Sequence, residues 1–473
     1  MVLPTTQLKL FAPEDAFPEP APCDWTVLCW GLGADSTAIL VRMLENPVTF
    51  GLRPDLSDLI VINAVTGMEW ADSVELAERH VLPLLRAKRV RLVQIARGGH
   101  SIAKDGIEIL TDTRTPTTIR TSGEWSLLLD LQLSGTIPMY GGARLCSVHS
   151  KGEPLDRWFE LHLTGSYRHI IGFEAGETGR ARIDTSYGKT GRNPWYPLIN
   201  WGWDRPKLLS YLRERFGVTW PKSYCWACPY PTSAGSLPDH MARAERFPEQ
   251  IVEAALLEYT AQALNPRFTL YANSSLRHQL HLAGNTRALD LLAARLDAEP
   301  WSVYEVRRVL TPGRSAECLS WHGPRCAACL AYEQQHGKPR PRCKACQGLP
   351  KQSCTRRAPG CYDPQKKGTA WRSVRRVGML PRPLAKTSLD RFASVPGREL
   401  AHTASVVDGY AFGFDRVVTI QRGEHFPAVE RQFVTAPASV PTKARNGFET
   451  AWQSARAAAP QPPTLGPALL PGA

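Results

Sequence analysis

Two sets of residues in this 473-residue chain have the types and spacing to do chemistry. The first is the run Gly31-Leu32-Gly33-Ala34-Asp35-Ser36-Thr37, which follows the apolar stretch Trp25–Trp30 and precedes a helix-forming stretch. A strand, a glycine-containing loop and a helix start place free amides toward an anion. Gly31 and Gly33 let the backbone close on phosphate oxygens, while Ser36 and Thr37 add hydroxyls. A plain strand-to-helix turn capped by Asp35 or Ser36 fits the same seven residues. The second set is the twelve cysteines, among them Cys225/Cys228, Cys326/Cys329 and Cys343/Cys346, each spaced CxxC. Cys326, Cys329, Cys343 and Cys346 form two knuckles separated by thirteen residues, a spacing that brings four thiolates around one Zn²⁺. Cys318, His322, Cys354 and Cys361 could join or replace them. Cys23 and Cys29 flank a buried-type strand and read as core.

The elements that must position these residues follow from periodicity. Buried-type runs at Trp25–Trp30, Leu59–Val65, Arg89–Ala96 and His169–Phe173 alternate with helices from Asp35, over Trp70–Lys88 and over Lys207–Phe216. Such alternation predicts βαβ units and a parallel sheet. The expected organisation is a proline-rich leader (1–22), an α/β nucleotide-binding domain (23–235), an all-helical appendage (236–312), a basic zinc-binding module (313–377), a C-terminal region of unknown role (378–456) and a disordered tail (457–473).

Charge is concentrated. Arg307 to Arg376 holds 16 Lys and Arg against three acids, so this stretch carries the whole formal charge of +13. A concentrated basic segment attracts a polyanion, and the expected partner is nucleic acid, DNA or tRNA, gripped by its phosphates through 307–376. A solvated basic face is the alternative. With no apolar run of eighteen residues and no export signal at the N-terminus, no membrane partner and a cytoplasmic location are expected. The cysteines then serve metal or redox chemistry rather than disulfides.

The blocks from Gly31 to Tyr230 resemble a known family. Gly31–Thr37 is similar to the PP-loop signature SGGxDS[ST] of the adenine nucleotide α-hydrolase-like superfamily. Its PAPS reductase branch, which includes DNA-phosphorothioation enzymes, shares the companion blocks Thr66-Gly67-Met68-Glu69, Arg144-x-Cys146 with Lys151 and Pro154, Gly172 with Glu177 and Arg180, Tyr196–Trp203, and Cys225-x-x-Cys228-Pro229-Tyr230. The resemblance implies a doubly wound parallel sheet of HUP/PP-loop type. It also implies that ATP, with Mg²⁺, is cleaved to AMP and pyrophosphate to activate a nucleic acid, with sulfur transfer as the outcome and a sulfur-donor protein as a further partner. On that reading Gly31, Gly33, Ser36, Thr37, Gly67 and Glu69 bind the nucleotide. Lys151 and Arg180 meet phosphate charge, and Asp35 and Glu177 order metal or water. Cys146, Cys225 and Cys228 would hold a [4Fe–4S] cluster with one open iron; half of a zinc site, a redox pair or inert thiols are the other readings. Two positions depart from the signature: Leu32 stands for a glycine and Val65 for the acid of DTG. The rivals are a sulfonucleotide reductase and a non-catalytic PP-loop protein that binds nucleic acid. Gly188-Lys189-Thr190 lacks the first glycine and the preceding strand of a Walker loop, and Glu317–His322 matches the reductase ECG[IL]H tail poorly.

Overall fold

The computed structural model describes residues 17–138, 140, 144–232, 236–272, 274–315, 327–337, 362–396, 398–403, 406–407 and 410–458. They form two compact units, Met1–Ala261 with Arg267–Leu292 and Gln262–Pro266 with Ala293–Ala473.

The first unit is α/β. Its strands are β1 (Trp25–Cys29), β2 (Leu59–Ala64), β3 (Arg91–Arg97), β4 (Ile107–Thr113), β5 (Tyr167–Ile170) and β6 (Arg192–Trp195), in the order β4-β3-β2-β1-β5-β6. All pairs are parallel except β3 with β4. Burial explains the strand sequences: β2 reads LIVINA and is buried at every position, as a strand covered on both faces must be. On one face Leu28, Val61 and Leu92 pack with α1 (Ala34–Glu45) and with Leu208 and Leu212 of the helix Arg205–Phe216. On the other, Val27, Ile62 and Val93 pack with Trp158 and Phe159 of the helix Glu153–His162. The chain steps outward from β1 through β2 to β3, then returns to β5 on the opposite side of β1. That reversal leaves a crevice beyond the carboxyl ends of β1 and β5. The helix expected over Trp70–Lys88 runs from Ala71 to Ala87, with a π turn at Ala77–Val81 ahead of Pro83, whose missing N–H interrupts the ladder. The residues 17–22 of the expected leader are partly tied down: Asn200 Nδ2 donates to the Phe17 carbonyl at 2.7 Å.

The second unit corrects the expected domain organisation. β7 (Trp301–Arg314) lies partly inside the stretch expected to be an all-helical appendage, and β8 (Tyr362–Leu380) crosses the far boundary of the expected module. With β9 (Glu399–Thr403), the two-residue pair β10 (Val406–Val407) and β11 (Tyr410–Ala411), β12 (Phe414–Ile420), β13 (Ala428–Pro437) and β14 (Lys443–Ala444), they build an antiparallel sheet of order β14-β8-β7-β13-β12-β9 beside the β10-β11 pair. The stretch 378–456 is therefore the other half of a sheet. The helices Arg382–Ala393 and Phe448–Ala458 cover it, the first on Val417 and Phe433, the second on Val309 and Val429. Helices Leu237–Arg246, Pro248–Leu264, Leu276–Leu282 and Thr286–Ala298 fill the preceding stretch as expected.

The zinc knuckles fall outside the described residues, apart from a helix at Ala327–His336. The tail from 459 also falls outside them. No helix among the described residues is long and apolar enough to cross a membrane.

Candidate functional site

A cleft of about 490 Å³ opens in the first unit where the strand order reverses. Its floor is the loop between β1 and α1. Gly33 caps α1 without a side chain, so the first helical amides receive no side-chain acceptor. The two hydroxyls expected to meet phosphate are both engaged in shaping the loop: Ser36 Oγ accepts from the Gly31 amide at 3.2 Å, and Thr37 Oγ1 accepts from Trp30 Nε1 at 3.0 Å. Ser36 still lines the cleft with Gly31, Gly33 and Asp35; Thr37 is fully buried and does not.

Leu32, in the place of a signature glycine, has φ +59°, a conformation that costs a non-glycine residue about 1–2 kcal/mol. Two contacts hold it there. Its side chain is buried in the α1 core, and its carbonyl accepts from Trp220 Nε1 at 3.0 Å. Core truncation of a leucine costs about 2–5 kcal/mol, more than the strain released. Leu32→Gly is therefore expected to lower stability by up to about 4 kcal/mol in urea unfolding. An increase would mean that strain outweighs packing.

Above the floor stand three carboxylates and five cations. Asp35 lies 3.3 Å from Arg205 Nη1. Burial pushes its pKa up, Arg205 opposes this, and Glu177 adds to it. Glu177 is held by Arg180 at 2.5 Å and accepts from the Glu174 amide at 3.3 Å. Glu174, which sequence reasoning missed, is pushed up by burial and then by Asp35 and Glu177. Arg144 and Lys222 complete the cationic side with Lys151. Arg144, at φ +49°, places its guanidinium 4.1 Å from the centre of the Tyr230 ring. Lys151 sits in a π turn, Val148–Gly152, a distortion that often marks working sites. Gly172, at the end of β5, closes on the helix start: a Cβ there would lie 2.9 Å from the Ser36 amide nitrogen.

Gly67 and Glu69 do not line the cleft. The Glu69 carboxylate accepts from the amides of Thr66, Gly67 and Met68 at 3.0, 3.0 and 3.1 Å and from Thr66 Oγ1 at 2.7 Å. It shapes the loop after β2, where Gly67 takes φ +82° against Ser126.

Lys151 is the cation common to the surroundings of Cys146, Cys225 and Cys228. All three thiols are pushed up by burial, Cys225 to about 12, and Lys151 opposes the shift at each. Cys228 lines the cleft, and Cys225 Sγ lies 3.7 Å from Thr66 Oγ1. Among the described residues no group of three or more His, Cys, Asp or Glu side chains is spaced to hold a single metal ion. Lys189 of the Walker-like run pairs with Asp156 at 2.5 Å.

Cys29 also reaches the cleft. His169 Nδ1 accepts from Arg192 Nε at 2.6 Å, which leaves Nε2 as the N–H that faces Cys29 Sγ at 3.0 Å. The imidazole donates to the thiol instead of drawing its proton, and burial pushes Cys29 up to about 12. It is a core thiol. Burial also pushes His169 and His240 down to about 3. An unfolded imidazole takes its proton near 6.5. Stability from each is thus complete above that pH and is lost as pH falls toward 3, at about 1.4 kcal/mol per pH unit. Urea unfolding between pH 7 and 5 is expected to show this slope, and His169→Gln to remove its share; an unchanged slope would refute the neutral buried imidazole.

Arg205, Lys222 and Glu174 carried no local signal in the sequence. Each reaches the cleft only through the closing of the sheet. No family model, curated protein or solved structure matches the chain.

Proposed function

We propose that the first unit is a PP-loop enzyme, similar to the PAPS reductase branch, that cleaves ATP to AMP and pyrophosphate to activate a nucleic acid for sulfur transfer. One observation carries this reading: an uncapped helix N-terminus at the strand-order reversal, with carboxylates and cations facing each other across one cleft. The doubly wound sheet is then of HUP type. The amides at the start of α1, with Lys151 and Arg180, would neutralise the departing pyrophosphate. Asp35 and Glu177 would hold Mg²⁺ together with phosphate oxygens, since Mg²⁺ takes few protein carboxylates and keeps the rest of its shell as water and phosphate. Arg205 and Arg180 hold those acids now, and each can turn to phosphate when a cation takes its partner.

Three half-buried thiols with one lysine common to their surroundings suit an anionic cluster. Cys146, Cys225 and Cys228 would hold three irons of a [4Fe–4S] centre, which would supply an open iron for sulfur brought by a donor protein. The rival reductase is disfavoured by the poor match of Glu317–His322 to its ECG[IL]H tail and by the added basic stretch 307–376. Cys326, Cys329, Cys343 and Cys346 would hold structural Zn²⁺ in a module that docks the nucleic acid.

Labelled ATP incubated with anaerobically purified protein and Mg²⁺, with DNA, with bulk tRNA and without either, tests the reading. AMP and pyrophosphate stimulated by one nucleic acid are expected. No cleavage under any condition would replace the enzyme with a protein that only binds.

A further inference from the structure

The face of the second sheet that bears Val303 and Val309 also carries an arginine pair organised by a buried acid. Glu305 lies on β7, directly opposite Arg375 of β8, and Arg307, two residues on, lies opposite Arg431 of β13. Glu305 is only 7% exposed, and each carboxylate oxygen takes an arginine. Oε2 accepts from Arg375 Nε at 2.7 Å and Oε1 from Arg431 Nε at 2.6 Å. The arginines themselves remain open to solvent, 59% for Arg375 and 38% for Arg431. Arg307 beside them is spent, since its guanidinium bonds Glu449 and packs over Phe448 and Trp452.

One arginine would neutralise Glu305. The second is surplus, so the trio carries a net positive charge. Arg375 engages Glu305 through Nε, and Arg431 through Nε and Nη2, both at 2.6 Å; this fixes each plane, and both solvent-open guanidinia keep further N–H groups for the fork that grips a phosphate. The charge around it has the same sign: residues 293–473 hold 27 Lys and Arg against 13 Asp and Glu. The hairpin of β7 and β8 carries Arg314, Lys366 and Lys367 farther along.

We propose that Glu305, Arg375 and Arg431 form a preorganised phosphate clamp that seats the backbone of a nucleic acid on the second unit, with Glu305 as the positioning residue. This rests on the nucleic-acid reading above and adds a contact that does not depend on the cysteine knuckles. The test is anisotropy of a labelled DNA duplex, its single strand and labelled bulk tRNA, titrated with the full chain over a salt series. Arg375→Ala with Arg431→Ala is expected to lower the slope of log K against log salt by about two. Arg375→Lys with Arg431→Lys keeps every charge yet is expected to weaken binding roughly threefold to tenfold, because an ammonium cannot reproduce the fork.

The decisive variant is Glu305→Gln. Charge alone predicts tighter binding, since an anion is removed from a basic face. The clamp predicts binding weaker by about threefold or more, with the arginines unmoored. Melting temperature checks that each variant folds; if Glu305→Gln fails to fold, the double lysine variant decides. Variants that bind as the parent does, or a Glu305→Gln that binds more tightly, would overturn the clamp and leave the nucleic-acid reading standing. A parent chain that binds phosphatidylserine vesicles and none of the three nucleic acids would overturn both.

Discussion

Replacing Gly172 by valine is expected to abolish nucleotide binding while the first unit stays folded. A Cβ at this position would lie 2.9 Å from the Ser36 nitrogen and 3.2 Å from the Asp35 carbonyl carbon, both backbone atoms of the first turn of α1. Backbone there cannot rotate aside. Gly33 is hemmed in by a side chain instead: its added Cβ would meet Ser223 Oγ and, at 2.9 Å, Ser223 Cβ, so Ser223 itself would have to move. Valine at 172 would cover the amides that the uncapped start of α1 offers to phosphate. Hydrogen bonds from amides to a charged group contribute about 1.5–3 kcal/mol each, so loss of two corresponds to roughly 10²- to 10⁴-fold in affinity. The stability cost of overpacking is smaller, about 1–3 kcal/mol. Calorimetric titration with ATP and Mg²⁺, beside urea unfolding, separates the two. Binding at parental affinity by a folded variant would move the phosphate site off the β1 loop.

How much of this was legible in the sequence depends on the distance between partners. The strands β1 to β3 and α1 show themselves in apolar runs such as LIVINA, because a strand buried on both faces has no other way to be written. The short β6, RNPW, does not: Pro194 in a four-residue edge strand hides it. β7 falls mostly in the stretch expected to be helical, and Glu305, Arg307 and Arg308 interrupt its apolar pattern. Their partners are Arg375 and Arg431, Glu449 and Glu430, from 70 to 142 residues away. The site divides the same way. The glycines, Asp35 and Lys151 could be picked out from local spacing, whereas Arg205 meets Asp35 across 170 residues. Thr37 and Glu69 had the chemistry of ligands but spend it on Trp30 and on the Thr66–Met68 amides. Residue type and order alone could not separate a group that touches a ligand from one that shapes the loop beneath it.

The pairing of β7 with β8 changes where the basic cysteine stretch should be cut. Gly313 pairs with Asp363 and Arg314 with Tyr362, so the chain leaves and re-enters the hairpin at neighbouring positions. Removing everything from 314 to 376 would delete most of β8 and strip β7 of a partner along its length. Removing only 315–361 and joining the ends with an Asn-Gly turn leaves both strands, since a two-residue turn of that type spans an antiparallel pair. The excision takes away eight Lys and Arg and two acids. The shortened chain is expected to melt within about 3 °C of the parent, because the helices Arg382–Ala393 and Phe448–Ala458 still cover the sheet. Its affinity for the preferred nucleic acid at moderate salt is expected to fall by roughly 10²- to 10³-fold, with a shallower salt slope, as several phosphate contacts are lost. Changing Arg375 and Arg431 in the shortened chain should lower the remaining slope by about two more. A salt slope equal to the parent's would place the whole grip on the sheet, and a shortened chain that cannot fold would make the cysteine stretch part of the second unit's core.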